Sequence, residues 1–236
     1  MMMSPTIADN LARLRERIAV AAQRARRPTE EITLIGVSKT HPAERIRQAF
    51  QAGLRHFGEN RVQEWEGKRG VLADLPATWH LIGHLQSNKT TRAAKVFTAI
   101  DSLDDWAVAQ RIARAIAETV SIDPMRVLIE VHLGGEDTKS GVAENELPAL
   151  AEKILHLEAL HLEGLMCIPP FLEDPEKVRP YFARLRQLRD GLEVRLGRRL
   201  PVLSMGMSHD FEAAIQEGAT EIRVGTALFG TRQLPQ

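Results

Sequence analysis

The chain has 236 residues, of which 44% are hydrophobic, enough to bury the core of one large α/β domain. Lysine plus arginine and aspartate plus glutamate both number 31, so zero net charge gives no basic footprint for nucleic acid or an anionic membrane. The one cysteine, Cys167, excludes a disulfide framework and fits a buried small hydrophobe. No segment approaches the roughly 20 apolar residues of a membrane span, and the first 20 residues lack a signal-peptide core. We therefore expect a cytoplasmic protein without nucleic-acid or membrane partners.

Short apolar runs alternate with amphipathic stretches along the chain. Ile7, Leu11, Leu14 and Ile18 recur at helical spacing and predict a leading helix. The patterns then predict eight strands, at 32–38, 56–59, 78–83, 97–101, 126–133, 160–168, 201–206 and 221–225. Helices are predicted between them, in 42–53, 60–69, from about residue 90, and in 104–120, 147–157, 178–193 and 210–218.

Strands that alternate with helices indicate a parallel sheet covered on both faces. Eight such units in this length predict an α/β fold, a (β/α)8 TIM barrel with an extra N-terminal helix. We expect one domain over residues 1–236. An open doubly wound sheet is the alternative.

Lys39 follows the first predicted strand in "LIGVSKTHP". Lysine is a poor strand residue and costly to bury, so Lys39 either ends the strand in solvent or lies at the mouth of a site. Sites in this kind of barrel form at the C-terminal ends of the strands. There, a lysine amine can form a Schiff base with a carbonyl.

The last two strands end in small residues, "MGMSHD" and "VGTALFG". The hydroxyls of Ser208 and Thr226 and the amides around Gly225 favour a phosphate site, although each segment alone could be only a helix cap or a turn. A phosphate near Lys39 suits either a phosphosugar aldolase or pyridoxal 5'-phosphate (PLP). Arg223, a charge inside the last strand, favours PLP, because an arginine there can face the ring nitrogen and keep it unprotonated. Such a ring would be a weak electron sink.

Six segments carry a family resemblance: "GVSKTHP", "HFGENRVQE", "WHLIGHLQSNK", "KSGV", "GLMCIPP" and "SMGMSHDFEAAIQEGATEIRVGTALFG". In this order they resemble the PLP homeostasis protein family, single-domain barrels related to the N-terminal domain of alanine racemase. The resemblance covers about residues 7–232. It implies a cytoplasmic PLP-binding protein that holds and supplies the cofactor without robust turnover; a weak PLP-dependent racemase is the alternative.

The resemblance also implies roles for individual residues. Lys39 matches the lysine that carries PLP as a Schiff base. Ser208, Gly225 and Thr226 match phosphate-binding positions, and Arg223 matches the arginine at the ring nitrogen. The remaining cofactor-pocket positions are Asn60, His80 and Met205.

Two features separate the chain from a racemase and from some relatives. The family often has a second lysine two residues after the Schiff-base lysine, where this chain has His41. A two-base racemase takes a tyrosine from an additional domain, whereas the single tyrosine here, Tyr181, falls in a predicted helix. We expect a monomer, with PLP-dependent apo-enzymes as recipients of the cofactor.

Two further patterns have a plain interpretation. His80 and His84 have the spacing of a helical metal pair but lie on a strand and a loop, so we expect no metal site. Lys139 either approaches the cofactor mouth or is a surface lysine.

Overall fold

The computed structural model describes residues 5–119, 123–134 and 140–230. The strands in these ranges are β1 Thr33–Val37, β2 His56–Glu59, β3 Thr78–Leu81, β4 Ala99–Leu103, β5 Met125–Glu130, β6 Leu160–Met166, β7 Val202–Ser204 and β8 Glu221–Val224. Consecutive strands pair in parallel, and β8 pairs with β1, which closes the barrel. The predicted TIM barrel is confirmed, and the open sheet is excluded because it would leave β1 and β8 as separate edges.

The helices of the described ranges surround the barrel. They are α1 Ile7–Arg24, α2 Ala43–Gln51, α3 Val62–Arg69, α4 Thr90–Val96, α5 Trp106–Ala117, α6 Leu147–Leu155, α7 Arg179–Leu196, α8 Phe211–Gln216 and α9 Thr226–Phe229. Each from α2 onward follows one strand, so α1 is the predicted extra helix. Among these described helices, none combines the length and apolar composition needed to cross a membrane.

The extra helix α1 starts at a capping box. The hydroxyl of Thr6 accepts from the Asp9 amide, and the Asp9 carboxylate accepts from the Thr6 amide. The apolar face predicted from the sequence is buried, and α1 packs against α2, α8 and α9. The side-chain amide of Asn10 also donates to the carbonyl of Leu228 at 3.0 Å. The helix therefore supports the last βα unit from outside the barrel.

The main apolar core lies between the strands and the helices. Side chains alternate along a strand, so every second residue faces the helices. Phe57 of β2 and Trp79 of β3 stack at 5.1 Å, and Trp79 stacks on Trp65 of α3 at 3.8 Å. The opposite faces of the strands point into the barrel, where several charged residues are buried.

Seven of the eight strands differ from the predicted bounds by one to three residues, and two of these differences have a clear structural cause. Residue Phe97 ends α4 and donates to the carbonyl of Ala93, so β4 begins two residues later than expected. Strand β5 ends at Glu130, and Val131 instead forms a bridge with Val142. Apolar residues just outside a strand therefore cap a helix, as Phe97 does, or anchor a loop, as Val131 does.

A bulge between β5 and β6 makes room for a partly buried charge contact. Val127 pairs with Leu162, but Leu128 pairs with Gly164, so Glu163 is an additional residue on β6. The Glu163 carboxylate accepts a hydrogen bond from Arg126 Nε at 2.7 Å. After the bulge, Gly164 lies so close to β7 that a Cβ atom there would be 1.9 Å from the carbonyl oxygen of Val202.

We therefore expect Gly164→Ala to destabilise the protein by about 3 kcal/mol, because neither backbone can move without opening the barrel. A matched control is Gly191→Ala in α7, where an added Cβ meets nothing within 4 Å. That substitution should stabilise the protein by about 0.5 to 1 kcal/mol by removing helix-interior glycine. Urea denaturation of both variants measures the difference, and equal stabilities would contradict the close β6–β7 approach.

Candidate functional site

Closure of the barrel brings Lys39 next to the last strand. Gly36 of β1 is the partner of Val224 of β8, and a Cβ atom at Gly225 would lie 3.5 Å from the Cβ of Val37. Lys39 is half-buried two residues beyond Val37. The C-terminal rim of the barrel therefore places Lys39 and the segment after β8 side by side.

The segment after β8 forms an anion cup with Ser208. The backbone amides of Gly225 and Ala227 point to Ser208 Oγ at 3.3 and 3.4 Å. These are long hydrogen bonds, so both amides and the hydroxyl can turn to a stronger acceptor. Backbone amides at the start of a helix are a common phosphate-binding arrangement in barrels, at the ends of strands 7 and 8.

Two residues fix the loop that carries Ser208. Asp210 Oδ1 accepts the amide of Met207 at 2.6 Å. Gly206 has φ +94°, and a Cβ atom there would lie 2.6 Å from the Cβ of Ala214, so the turn requires glycine. The Gly206 carbonyl also accepts the amide of Arg223, which ties this loop to β8.

Arg223 is buried below the rim, with 3% of its surface exposed. Its Nη1 donates to Ser204 Oγ at 2.8 Å and its Nη2 to the carbonyl of Cys167 at 2.7 Å. Both acceptors are neutral, and the charge of the guanidinium also acts on the nearby carboxyls of Glu130 and Asp210. A buried cation of this kind favours an anion or a lone pair at the mouth of the barrel.

Glu130, at the end of β5, is a site residue that our sequence analysis missed. It is 3% exposed, Ser140 Oγ donates to its Oε1 at 3.0 Å, and its Oε2 has no hydrogen-bond partner within the described residues. Burial raises the pKa of the Glu130 carboxyl, and the Ser140 hydrogen bond and the charge of Arg223 oppose this rise. A charge inside an apolar strand, the signal that identified Arg223, also marks Glu130.

A second polar group occupies the barrel interior. His80 is 1% exposed, and its Nε2 lies 3.1 Å from His56 Nδ1 while its Nδ1 lies 2.9 Å from Asp101 Oδ2. Burial would raise the pKa of Asp101, but the charges of His80 and Arg126 hold it below its ordinary value. Arg126 Nη1 also lies 3.1 Å from His80 Nδ1, so the His80 ring connects His56 with the Asp101–Arg126 pair.

Arg126 completes this interior network. It donates to Asp101 Oδ1 at 3.0 Å and to Glu221 Oε1 at 2.6 Å. Within the described residues, His80, Asp101 and Glu221 are the one group of three ligand-type side chains close enough to share a metal ion. The guanidinium of Arg126 already bonds both carboxylates, so the cation in this position is an arginine.

Comparisons with known proteins identify the family. The family described as "Alanine racemase, N-terminal domain" matches residues 10–233. The pyridoxal phosphate homeostasis protein of Aquifex aeolicus is 49% identical over 95% of this chain and 98% of its own length. That of Pseudomonas aeruginosa is 48% identical over 96% of both chains. This chain belongs to the pyridoxal phosphate homeostasis protein family.

Solved structures agree with the fold of this family member. PipY of Synechococcus elongatus PCC7942, with PLP bound, is 41% identical and superposes with a TM-score of 0.84, covering 95% of this chain and all of PipY. An alanine racemase of Clostridium difficile is 17% identical, with a TM-score of 0.70, and this chain matches 60% of its length. The racemase likeness concerns the barrel alone.

The structure of this chain brings only some of the predicted cofactor residues together. Lys39, Ser208, Arg223 and Gly225 converge at the rim, and Thr226 is the exposed first residue of α9 beside them. Asn60 lies further along the rim and lines a pocket of about 590 Å³ between the loops after β2 and β3.

His80 and Met205 lie away from these rim residues. Both ring nitrogens of His80 are taken by His56 and Asp101, which leaves neither for a cofactor. Met205 has no exposed surface and belongs to the apolar cluster between strands and helices, since Ser204 before it faces the interior.

Two other sequence interpretations have a structural counterpart, and a third cannot be compared. His41, in place of the second lysine, stacks on Phe229 of α9 at 4.8 Å. Cys167 is fully buried, and burial raises the pKa of its thiol to about 12, as expected for a packing residue. Lys139 lies outside the described residues.

The His56–His80 pair predicts a pH effect on stability. Burial, together with the charges of His80 and Arg126, lowers the pKa of His56 from 6.5 to about 4, against the opposing charge of Asp101. Between these values the unfolded chain binds a proton that the folded protein does not. The free energy of unfolding therefore rises with pH in this window, and the contribution is lost as pH falls from 6.5 to 4.

We expect His56→Gln to make the free energy of unfolding less dependent on pH between about 4.5 and 6.5. Urea denaturation at a series of pH values measures this slope. The exposed His161, at the same end of the barrel, provides the control His161→Gln, which should keep the parent slope. A parent slope in His56→Gln would contradict the half-buried, uncharged state of His56.

Proposed function

We propose that this protein binds PLP as a Schiff base on Lys39 and holds the cofactor for supply to PLP-dependent apo-enzymes. The adjacency of Lys39, just after β1, and the Ser208 cup beside β8 carries the proposal. PLP carries its aldehyde and its phosphate arm on adjacent carbons of one ring, and the rim offers an amine and an anion cup side by side, just after β1 and β8. The PLP-bound PipY structure supports the same cofactor here.

The groups at the rim fit three of the polar groups of PLP. The Lys39 amine suits the aldehyde, and Ser208 with the amides of Gly225 and Ala227 suits the phosphate. The Arg223 guanidinium, which already donates to two neutral oxygens, suits the unprotonated ring nitrogen. Bound PLP supplies a reactive aldehyde and an electron sink, and an arginine at the ring nitrogen keeps that sink weak.

The surroundings of the rim support a carrier more than a racemase. A racemase needs an acid or base on each face of the cofactor ring. The single tyrosine, Tyr181, lies in α7, where it packs against the apolar core. Glu59, the carboxylate considered for a Schiff-base aldolase, faces α3 and bonds to Lys68 at 3.0 Å. We propose a monomer that protects and transfers PLP without robust turnover.

The cofactor assignment is tested with Lys39→Ala. The parent protein, mixed with PLP, should develop a yellow absorption band, and borohydride should fix the cofactor onto Lys39 as detected by peptide mass spectrometry. Lys39→Ala should lack the band and the label. The control Lys89→Ala removes another half-buried lysine near the same rim and should keep both. A colourless parent, or a label on another lysine, would sink the assignment.

The carrier role is tested by turnover. L-Alanine incubated with the PLP-loaded parent should racemise no faster than with the same concentration of free PLP, because the weak sink and the missing second base both slow proton removal. Chiral chromatography measures the D-alanine formed. Racemisation well above the free-PLP rate, abolished in Lys39→Ala, would instead make the protein an enzyme.

A further inference from the structure

The backbone on both sides of Lys39 is held by one helix. Lys68 Nζ, on α3, donates to the carbonyl of Ser38 at 3.1 Å. Glu64 Oε1, one turn earlier on α3, accepts the amide of Thr40 at 2.5 Å. Ser38 and Thr40 are the two neighbours of Lys39, so side chains of α3 hydrogen-bond the backbone immediately before and after Lys39.

The gripping side chains form a charge network on the outer side of β1 and β2. Lys68 Nζ donates to Glu64 Oε1 at 2.6 Å and to Glu59 Oε1 at 3.0 Å. Glu59 also accepts the hydroxyl of Ser38 at 2.7 Å. The side chains of Lys68, Glu59 and Glu64 are 14%, 0% and 24% exposed. Charged groups buried this far keep one geometry, since breaking any pair leaves an uncompensated charge.

The titration of the two carboxyls reflects this arrangement. Burial raises the pKa of Glu59, and the charge of Lys68 and the hydrogen bond from Ser38 oppose the rise. Burial also opposes ionisation of Glu64, but hydrogen bonds from Lys68 and from the Thr40 amide hold its pKa below the ordinary value. The ionised form of Glu64 is therefore tied directly to the position of the Thr40 backbone.

Thr40 adopts a conformation that needs such support. Its φ is +65°, in the left-handed region that a β-branched residue rarely occupies. A conformation of this kind persists only where the surrounding contacts determine it. The hydrogen bond to Glu64 acts on Thr40 itself, and the bond from Lys68 acts two residues earlier.

We propose that Glu59, Glu64 and Lys68, here called the Lys39 clamp, are positioning residues that fix the direction in which Lys39 leaves β1. This rests on the proposed Schiff base at Lys39 and extends it to three residues that do not touch the cofactor. The clamp holds the amine at one place relative to the Ser208 cup, so that a ligand can engage both. Without it, Thr40 relaxes from its left-handed conformation and Lys39 turns with it.

The test compares Lys68→Met with Arg27→Met. Arg27 is a matched cation at the N-terminal end of the barrel, with an 18% exposed side chain that donates to the carbonyls of Ile215 and Ala219. Both variants lose a cation that holds backbone carbonyls, but only Lys68 is next to Lys39. Glu64→Ala, at a more exposed position, removes the acceptor of the Thr40 amide and serves if Lys68→Met does not fold.

Two measurements are made on each variant. Hydrogen exchange of the Thr40 amide in PLP-free protein reports on the clamp alone, and absorbance titration with PLP reports on the amine. Lys68→Met and Glu64→Ala should each speed this exchange and weaken PLP binding about tenfold, as expected for one lost charge-assisted hydrogen bond. Arg27→Met should lower the unfolding temperature without either effect.

A rescue separates positioning from general stability. Asparagine tolerates positive φ better than threonine, so adding Thr40→Asn to Lys68→Met should recover part of the lost PLP affinity. The proposal is overturned if exchange rises but PLP affinity stays at the parent value, if Arg27→Met weakens binding equally, or if Thr40→Asn recovers nothing. A parent that binds no PLP overturns the proposed function instead, while the exchange data still report whether the clamp holds Thr40.

Discussion

The pairing of β8 with β1 is the constraint on which the rest of this molecule depends. Parallel strands that close on themselves place the first and last segments of the chain next to each other at one rim. Lys39 and Gly225 are far apart in sequence, yet they extend from neighbouring strands. The extra helix α1 supports this seam from outside, through Asn10 and its packing against α8 and α9. The site is therefore a product of barrel closure.

Two arginines of the barrel strands, the half-buried Arg126 and the buried Arg223, have different surroundings and different roles. Arg126 is surrounded by the carboxylates of Asp101, Glu163 and Glu221, which together raise its pKa despite its burial. These carboxylates compensate the charge of Arg126, and the interior network stabilises the closed sheet. Arg223 donates hydrogen bonds only to neutral oxygens within the described residues, and its charge acts on the carboxyls of Glu130 and Asp210 near the mouth without bonding to them. The surroundings of each arginine, more than its burial, decide what it does.

Periodicity was sufficient to predict the fold. Alternating strand and helix patterns located every strand of the described barrel, because each strand buries one apolar face against helices. Boundaries were less accurate where apolar residues leave the sheet, as at Phe97 and Val131, which cap a helix and seat a loop. Chain order alone does not distinguish such residues from strand residues.

The site was only partly predictable, for a physical reason. Lys39, Ser208 and Arg223 were visible because each residue type is unusual where it stands. The places of His80 and Met205 relative to the rim were not visible, since they depend on how β3 and the end of β7 are oriented. The structure places His80 in the barrel interior and Met205, just after β7, in the helix layer. Lys68 and Glu64 look like an ordinary exposed helix pair, four residues apart. Only packing of α3 against β1 and β2 reveals what they hold.

The stack of His41 on Phe229 joins the two halves of the rim mechanically. His41 belongs to the loop that carries Lys39, and Phe229 ends the short helix that begins at the anion cup. Arg45 of α2 reinforces this connection by donating to the carbonyl of Phe229. These contacts therefore hold the Lys39 loop and the anion cup in a fixed relative position. The distance between the amine and the cup is thereby fixed, so a ligand that engages both must present its two groups at that distance.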